Sequence, residues 1–146
     1  MRLEKAEKKH LDAVLDIEKK CFSLPWSKQS FSDELRAKES YFIVALEGET
    51  VLGFCIIRVF DGEAELYNIA VAPEYRRQYI AEDMLREAMS YAKNNDASAV
   101  YLEVRKSNTA AQSLYKKVGF NDIGTRRDYY DFPTEDAVLM ICELEM

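Results

Sequence analysis

The sequence is poor in the residues that build metal sites and covalent cross-links. It has three cysteines, Cys21, Cys55 and Cys142, and one histidine, His10. The cysteines are odd in number, scattered, and form no C-x-x-C pair, which fits neither a disulfide framework nor a zinc site. A single histidine leaves a metal centre or a Cys–His catalytic pair with little support, so no metal is expected. The chain also lacks an apolar run approaching the roughly 20 residues of a membrane span. Its opening stretch, MRLEKAEKKH, has no apolar signal segment. No membrane partner is expected, and the expected location is the cytoplasm. Positive charge is in deficit, with a net charge of −6. That argues against nonspecific nucleic-acid binding and suits a basic protein partner. No repeat, low-complexity segment or interdomain linker interrupts the 146 residues. A single domain over 1–146 is therefore expected, with a monomer favoured.

Glycine is missing where it would be most useful. Residues 68–83, NIAVAPEYRRQYIAED, contain a buried-strand pattern (Ile69, Ala70, Val71), a proline break at Pro73, the basic pair Arg76 and Arg77, and then a helix start. A strand, tight loop and helix N-terminus hold anions because the first helical N–H groups lack intrahelical partners and the helix dipole is positive there. Such cradles use glycine so that backbone can touch phosphate oxygens. Here Tyr79 and Ala81 stand in the loop. Glu82 and Asp83 follow, and they would repel an anion unless they point away.

The rest of the chain alternates between two periods. Residues 2–6 read as a short strand. From 7 to 21, Leu11, Val14, Leu15, Cys21 and Phe22 fall at helical spacing, with Ile17 beside them. Pro25 breaks that helix within FSLPWS, and Ser27 is a suitable N-cap for a second over 28–37. Strands are expected over 41–46 and 51–57, and a third over 64–72 after the Asp61-Gly62 hairpin signal. Met84, Leu85, Ala88, Met89 and Ala92 mark a helix over 78–94. A strand follows over 100–105, then a helix capped by Asn108 and closed by Gly119, then strands over 120–127 and 137–143. The stretch 129–136 reads as a polar, aromatic linker. The fold class is therefore α/β (α+β), a mixed, mostly antiparallel sheet flanked by helices. The strand ending near Val71 and the strand 100–105 are expected as parallel neighbours through a right-handed crossover.

In the strand 100–105, Leu102 and Val104 take one face and Tyr101, Glu103 and Arg105 the other. Glutamate has low strand preference, so Glu103 is either a solvated surface residue or a general base at the cleft mouth. Tyr115 is either an amphipathic core residue or a proton donor. The FSLPWS loop, with Leu24, Pro25 and Trp26, is either a hydrophobic plug or a wall facing substrate.

Taken together, FSLPWS, NIAVAPEYRRQ, LEVRKSNTAAQSLYKKVGF and TRRDYY resemble the GCN5-related N-acetyltransferase (GNAT) superfamily over nearly the whole chain. The similarity is closest to the RimI type, the ribosomal-protein-alanine N-acetyltransferases. The resemblance implies a GNAT-like fold with a splayed parallel strand pair and acetyl-CoA as acetyl donor. It also implies a basic protein or peptide N-terminus, from a ribosomal protein, as acceptor. By the same resemblance, Ile69, Ala70 and Val71 line the pantetheine and acetyl group. Arg76, Arg77, Gln78, Tyr79, Ile80, Ala81 and Glu82 form the pyrophosphate loop, and Asn108 contacts the cofactor. Glu103 would be the base and Tyr115 the acid. Leu24, Pro25, Trp26, Tyr129 and Tyr130 would shape the peptide site. The sequence departs from the family pattern at Tyr79, which stands where a glycine is usual. A non-catalytic variant of the fold, and a lysine or small-amine acetyltransferase, therefore stay open beside N-terminal acetyl transfer.

Overall fold

Where apolar residues alternate, the chain forms strands, and where they recur every three or four positions, it forms helices. In the computed structural model, which describes residues 1–76 and 79–144, seven strands and four α-helices follow in order: β1 (Arg2–Lys5), α1 (Leu11–Cys21), α2 (Lys28–Arg36), β2 (Ser40–Glu47), β3 (Thr50–Phe60), β4 (Glu63–Val71), α3 (Ile80–Asn94), β5 (Ala99–Arg105), α4 (Thr109–Val118), β6 (Asn121–Tyr130) and β7 (Glu135–Glu143). They make one sheet of order β1-β2-β3-β4-β5-β7-β6. Every pairing is antiparallel except β4 with β5. The expected fold class, a mixed and mostly antiparallel sheet flanked by helices, is the one observed. Among the described residues, no helix is long and apolar enough to cross a membrane.

The sheet is covered on both faces. On one, α3 packs Met84, Leu85, Ala88 and Met89 against Ile43, Cys55, Ile57, Leu66 and Val100, and Tyr115 and Phe120 join them. On the other, Leu11, Val14 and Ile17 of α1 and Phe31 of α2 cover Phe42, Val44, Phe54, Ile56 and Ala70. Burying a side chain of this size stabilises the fold by about 1.5–3 kcal/mol. The hairpin between β3 and β4 turns on Asp61 and Gly62, both with positive φ. That is what a two-residue turn matching the twist of its strands requires.

Several expectations shift at element ends. α1 buries Ile17 and Glu18, while Phe22 is exposed. Leu11 and Val14 are buried as expected, but the stripe continues through Ile17 and Glu18 rather than through Leu15 and Phe22. The third helix, expected over 78–94, starts at Ile80, because Tyr79 is left-handed (φ 62°, ψ 15°) and cannot continue a right-handed helix. The stretch 129–136 is not wholly linker, since Tyr129 and Tyr130 are the last residues of β6. Ser27 caps α2 by accepting from the Ser30 N–H at 3.1 Å, and Gly119 ends α4 at φ 118°.

Candidate active site

Strands β4 and β5 run parallel but pair at only two positions, Ala64 with Val100 and Glu65 with Tyr101. Beyond them β4 keeps its ladder with β3 as far as Gly53 opposite Val71. The register slips between Ile56 and Ile57, so that Tyr67 is an extra residue in β4. Such a bulge bends a strand and increases its twist. The two parallel strands thus part towards their C-terminal ends, and the backbone edge at Ile69, Ala70 and Val71 faces the gap. Gly53 permits this course, because a Cβ there would lie 2.7 Å from the Ala70 carbonyl oxygen. Peptide groups on an open strand edge suit a ligand that is itself amide-bearing and extended.

At the mouth of this gap the chain makes a short 3-10 turn (Pro73–Tyr75), and Arg76 follows with its guanidinium 3.2 Å from Cys21 Sγ. Arg77 and Gln78 lie outside the described residues. Tyr79 holds the N-terminal end of α3 with a left-handed backbone, the conformation a glycine would supply. The residue is 71% exposed, and its ring lies 5.4 Å from the Lys117 ammonium. Ile80 is buried and Ala81 half-buried beneath it. Glu82 is turned onto cations, 2.8 Å from Lys117 and 3.0 Å from Arg86. The Lys117 and Arg86 hydrogen bonds hold its carboxyl below the usual carboxylate range. Its charge is thus matched within the protein. Asn108 caps α4 through Oδ1, which accepts from the Ala111 N–H at 3.1 Å.

Glu103 leaves β5 on the opposite face from Leu102 and Val104, as alternation requires. It lines a cavity of about 580 Å³ with Glu65, Tyr67, Tyr101, Ile123 and Arg126. Its Oε2 is buried with no hydrogen-bond donor among the described residues. An unpaired buried carboxylate oxygen is costly, so the site is poised to accept a proton-bearing group. Around it the charges are felt. Burial and then Glu103 raise the Glu65 carboxyl above its ordinary value. The Glu103 carboxylate beside its hydroxyl, and then burial, raise the Tyr129 phenol. Tyr130 is pushed up to about 12, by burial first and Glu103 second.

Tyr115 sits on the buried side of α4, edge-on to Phe120 at 5.8 Å. Burial, with smaller contributions from Cys55 and Tyr130, drives its phenol well above the ordinary value, so it stays protonated at neutral pH. Cys55, which Tyr115 feels, pairs in register with Ile69 of β4.

The residues expected to shape a peptide site divide. Leu24 is 56% exposed and Pro25 exposed, whereas Trp26 is half-buried with its ring 5.2 Å from Phe31. Within the loop 22–27 only Trp26 packs inwards, and the other five residues are exposed. Sequence reasoning did not single out two groups that organise this region. Arg105 donates to the Asp131 and Pro133 carbonyls at 2.7 and 2.9 Å, pairs with Glu135 at 3.2 Å, and covers the Tyr130 ring at 4.5 Å. Glu18 is buried and accepts from the Trp26 N–H and the Asn68 amide, each at 2.9 Å. Its signal was the spacing Leu11, Val14, Glu18, which sets a carboxylate on an apolar helix face. Among the described residues, no group of three or more His, Cys, Asp or Glu could hold a metal ion.

Comparison with known proteins converges on one family. The sequence pattern of the acetyltransferase (GNAT) family matches residues 11–120. The chain is 40% identical over 142 residues to a Bacillus subtilis (strain 168) protein assigned provisionally as a ribosomal protein bS18-alanine N-acetyltransferase, covering 96% of this chain and 90% of that one. It is 35% identical over 140 residues to the ribosomal protein bS18-alanine N-acetyltransferase of Escherichia coli (strain K12), covering 93% of each. The crystal structure of the Escherichia coli ribosomal-protein-S18-alanine N-acetyltransferase superposes with a TM-score of 0.92 at 31% identity, over 99% of this chain and 94% of that one.

Proposed function

Because this chain belongs to the acetyltransferase (GNAT) family, we propose that it transfers the acetyl group of acetyl-CoA to the N-terminal α-amine of a protein, an alanine-starting small-subunit ribosomal protein. The observation that carries the catalytic part of this reading is the Glu103 carboxylate. One of its oxygens is buried without a donor among the described residues, on the wall of a cavity beside the point where β4 and β5 part.

The residues fit the donor. The open edge at Ile69, Ala70 and Val71 would hold the pantetheine amides. Arg76, Tyr79, Ile80, Ala81 and Glu82, with Arg77 and Gln78 between them, would border the pyrophosphate, and Asn108 would contact the cofactor from α4. Bound acetyl-CoA supplies an activated acetyl thioester. Leu24, Pro25, Trp26, Tyr129 and Tyr130 would orient the peptide. Glu103 takes one proton from the attacking nitrogen, directly or through a water, as the new N–C bond forms. Tyr115, held protonated by burial, gives its proton to the sulfur as the C–S bond breaks. Proton and charge then balance across the step.

The base suits an α-amine. Neutralising an α-amine of pKa about 7.7–8.0 at pH 7 costs about 1 kcal/mol, against about 4–5 for a lysine amine of pKa about 10.4. A carboxylate is a modest base and handles the first more readily than the second. The net charge of −6 favours a basic acceptor peptide, and the reading places the work in the cytoplasm, by a monomer.

The test is direct. Purified chain with acetyl-CoA should acetylate an alanine-starting basic peptide, and should not act on the same peptide with its terminus blocked. Transfer to lysine side chains or polyamines at equal or higher kcat/KM would overturn the α-amine assignment. Absence of any calorimetric heat with millimolar acetyl-CoA would overturn the enzyme reading altogether.

A further inference from the structure

We propose that Glu18 is a positioning residue that fixes the peptide-facing loop 22–27 to strand β4, and thereby sets how tightly the chain holds its peptide. This rests on the acetyl-transfer reading above. Glu18 is 1% exposed on the inner face of α1, one turn after Val14. Its two oxygens serve two different elements. Oε2 accepts from the Trp26 backbone N–H in the loop, and Oε1 accepts from the Asn68 side-chain amide on β4, both at 2.9 Å. Asn68 lies immediately after the bulge at Tyr67 and immediately before Ile69. The same carboxylate therefore touches the loop that would face the peptide and the strand that would face the acetyl group.

A purely space-filling role does not account for this residue. A buried carboxylate is expensive, and burial pushes the Glu18 carboxyl up despite the two hydrogen bonds that favour its charged form. A leucine would fill the same position without that cost. What a leucine lacks is two acceptors aimed at donors from separate elements. Glutamine lacks them too, because its side chain offers one acceptor and one donor group. The loop is also approached from the other parting strand, since Arg105 at the end of β5 reaches Ser23 Oγ at 3.4 Å. Loop 22–27 is thus a strap across the gap between β4 and β5, held near its ends by Glu18 and Arg105. Leu24 stands exposed between those two ties.

The sole tryptophan, Trp26, reports on this loop without reference to activity. Glu18→Gln should make Trp26 fluorescence more accessible to acrylamide, because one of the two donors faces the new amide NH2. It should raise the peptide KM about tenfold while kcat and acetyl-CoA affinity stay within about twofold, the loss expected for a hydrogen bond to a charged group. Adding Asn68→Asp exchanges donor and acceptor across the pair, so the double variant should recover both the quenching and the KM of the parent. A role in stability alone predicts parent values of peptide KM and Trp26 quenching in the folded single variant, with only its melting temperature lowered. Unchanged quenching and KM in Glu18→Gln, or a double variant as impaired as the single one, would overturn the proposal. Should Glu18→Gln fail to fold, Asn68→Ala removes only the strand tie. A raised peptide KM with greater quenching supports the proposal there, and parent values of both overturn it. If the parent chain acetylates no alanine-starting peptide, the acetyl-transfer reading falls, and the Trp26 quenching arm decides by itself whether Glu18 holds the loop.

Discussion

Replacing Tyr79 by glycine supplies the residue that suits its left-handed backbone, and the outcome follows from three contributions. The backbone at Tyr79 is left-handed, with φ 62° and ψ 15°, so glycine relieves about 1–2 kcal/mol of strain. The ring lies 5.4 Å from the Lys117 ammonium at an exposed site, and losing that contact costs about 0.5–1 kcal/mol. Glycine also loosens the unfolded chain, which costs about 0.4–1 kcal/mol. The sum is within about 1 kcal/mol of zero, so Tm should move by no more than about 4 °C. Because Tyr79 is 71% exposed and its backbone already has a glycine-like conformation, acetyl-CoA affinity should change by less than about threefold, or roughly 0.7 kcal/mol. Tyr79→Ala separates ring from backbone, since it removes the ring and keeps the strain, and it should lower stability relative to Tyr79→Gly. Thermal melts and calorimetric titration with acetyl-CoA read both quantities. A tenfold gain in affinity in both variants would show that the ring fills the pyrophosphate space. A tenfold loss in both would show that the ring itself holds the cofactor. Either result refutes the inference that the outward ring leaves the loop open.

Further outcomes follow from the same geometry. Glu103→Gln removes the proposed base while keeping the shape, so kcat should fall by about a hundredfold or more with acetyl-CoA affinity retained; an equal loss of both would assign Glu103 a structural role. Gly53→Ala would place a Cβ 2.7 Å from the Ala70 carbonyl oxygen and 3.1 Å from Met84 Cε. Overpacking of this kind costs about 1–3 kcal/mol, so both Tm and acetyl-CoA affinity should drop, and an unchanged melt would count against the close approach of β3 and β4. Ultraviolet titration should show Tyr41, Tyr115 and Tyr130 resisting ionisation while the chain is folded. Burial raises all three, and Tyr130 reaches about 12. A folded pKa above the unfolded value of about 10 contributes stability that is complete below that value and is lost as pH rises through the folded one. Alkaline unfolding should therefore accompany the late phenolate signal, and nine tyrosines titrating together near the ordinary value in a folded chain would contradict it.

The parts of the site legible in the sequence are those whose cause is local. Met84, Leu85, Ala88, Met89 and Ala92 recur at the helical period, and all five are buried in α3. Alternation in β5 separates Glu103 from Leu102 and Val104 whatever the strand pairs with. Ser27, Asn108 and Gly119 sit at helix ends for reasons of their own chemistry. The parts that were not legible depend on a partner far along the chain. The concern that Glu82 would repel a phosphate could not be weighed without Lys117, 35 positions on and 2.8 Å away. Arg105 reads locally as one more polar strand residue, and only the return of β6 and β7 sets the Asp131 and Pro133 carbonyls in its reach.

By itself the sequence determined the elements, their order, the two-faced sheet and the family, because period, caps, turns and motif spacing are properties of neighbouring residues. Only the tertiary structure decided where β4 and β5 part, since neither strand's alternation records that their ladder stops after Glu65 and Tyr101. Only it decided that the Tyr79 ring turns outwards over Lys117, and that Glu18 serves a loop 8 residues away and a strand 50 residues away. Hydrogen-bond partners and buried charges are chosen by the packed chain as a whole. Their energies depend on what is brought within about 3 Å, which separation along the sequence does not encode.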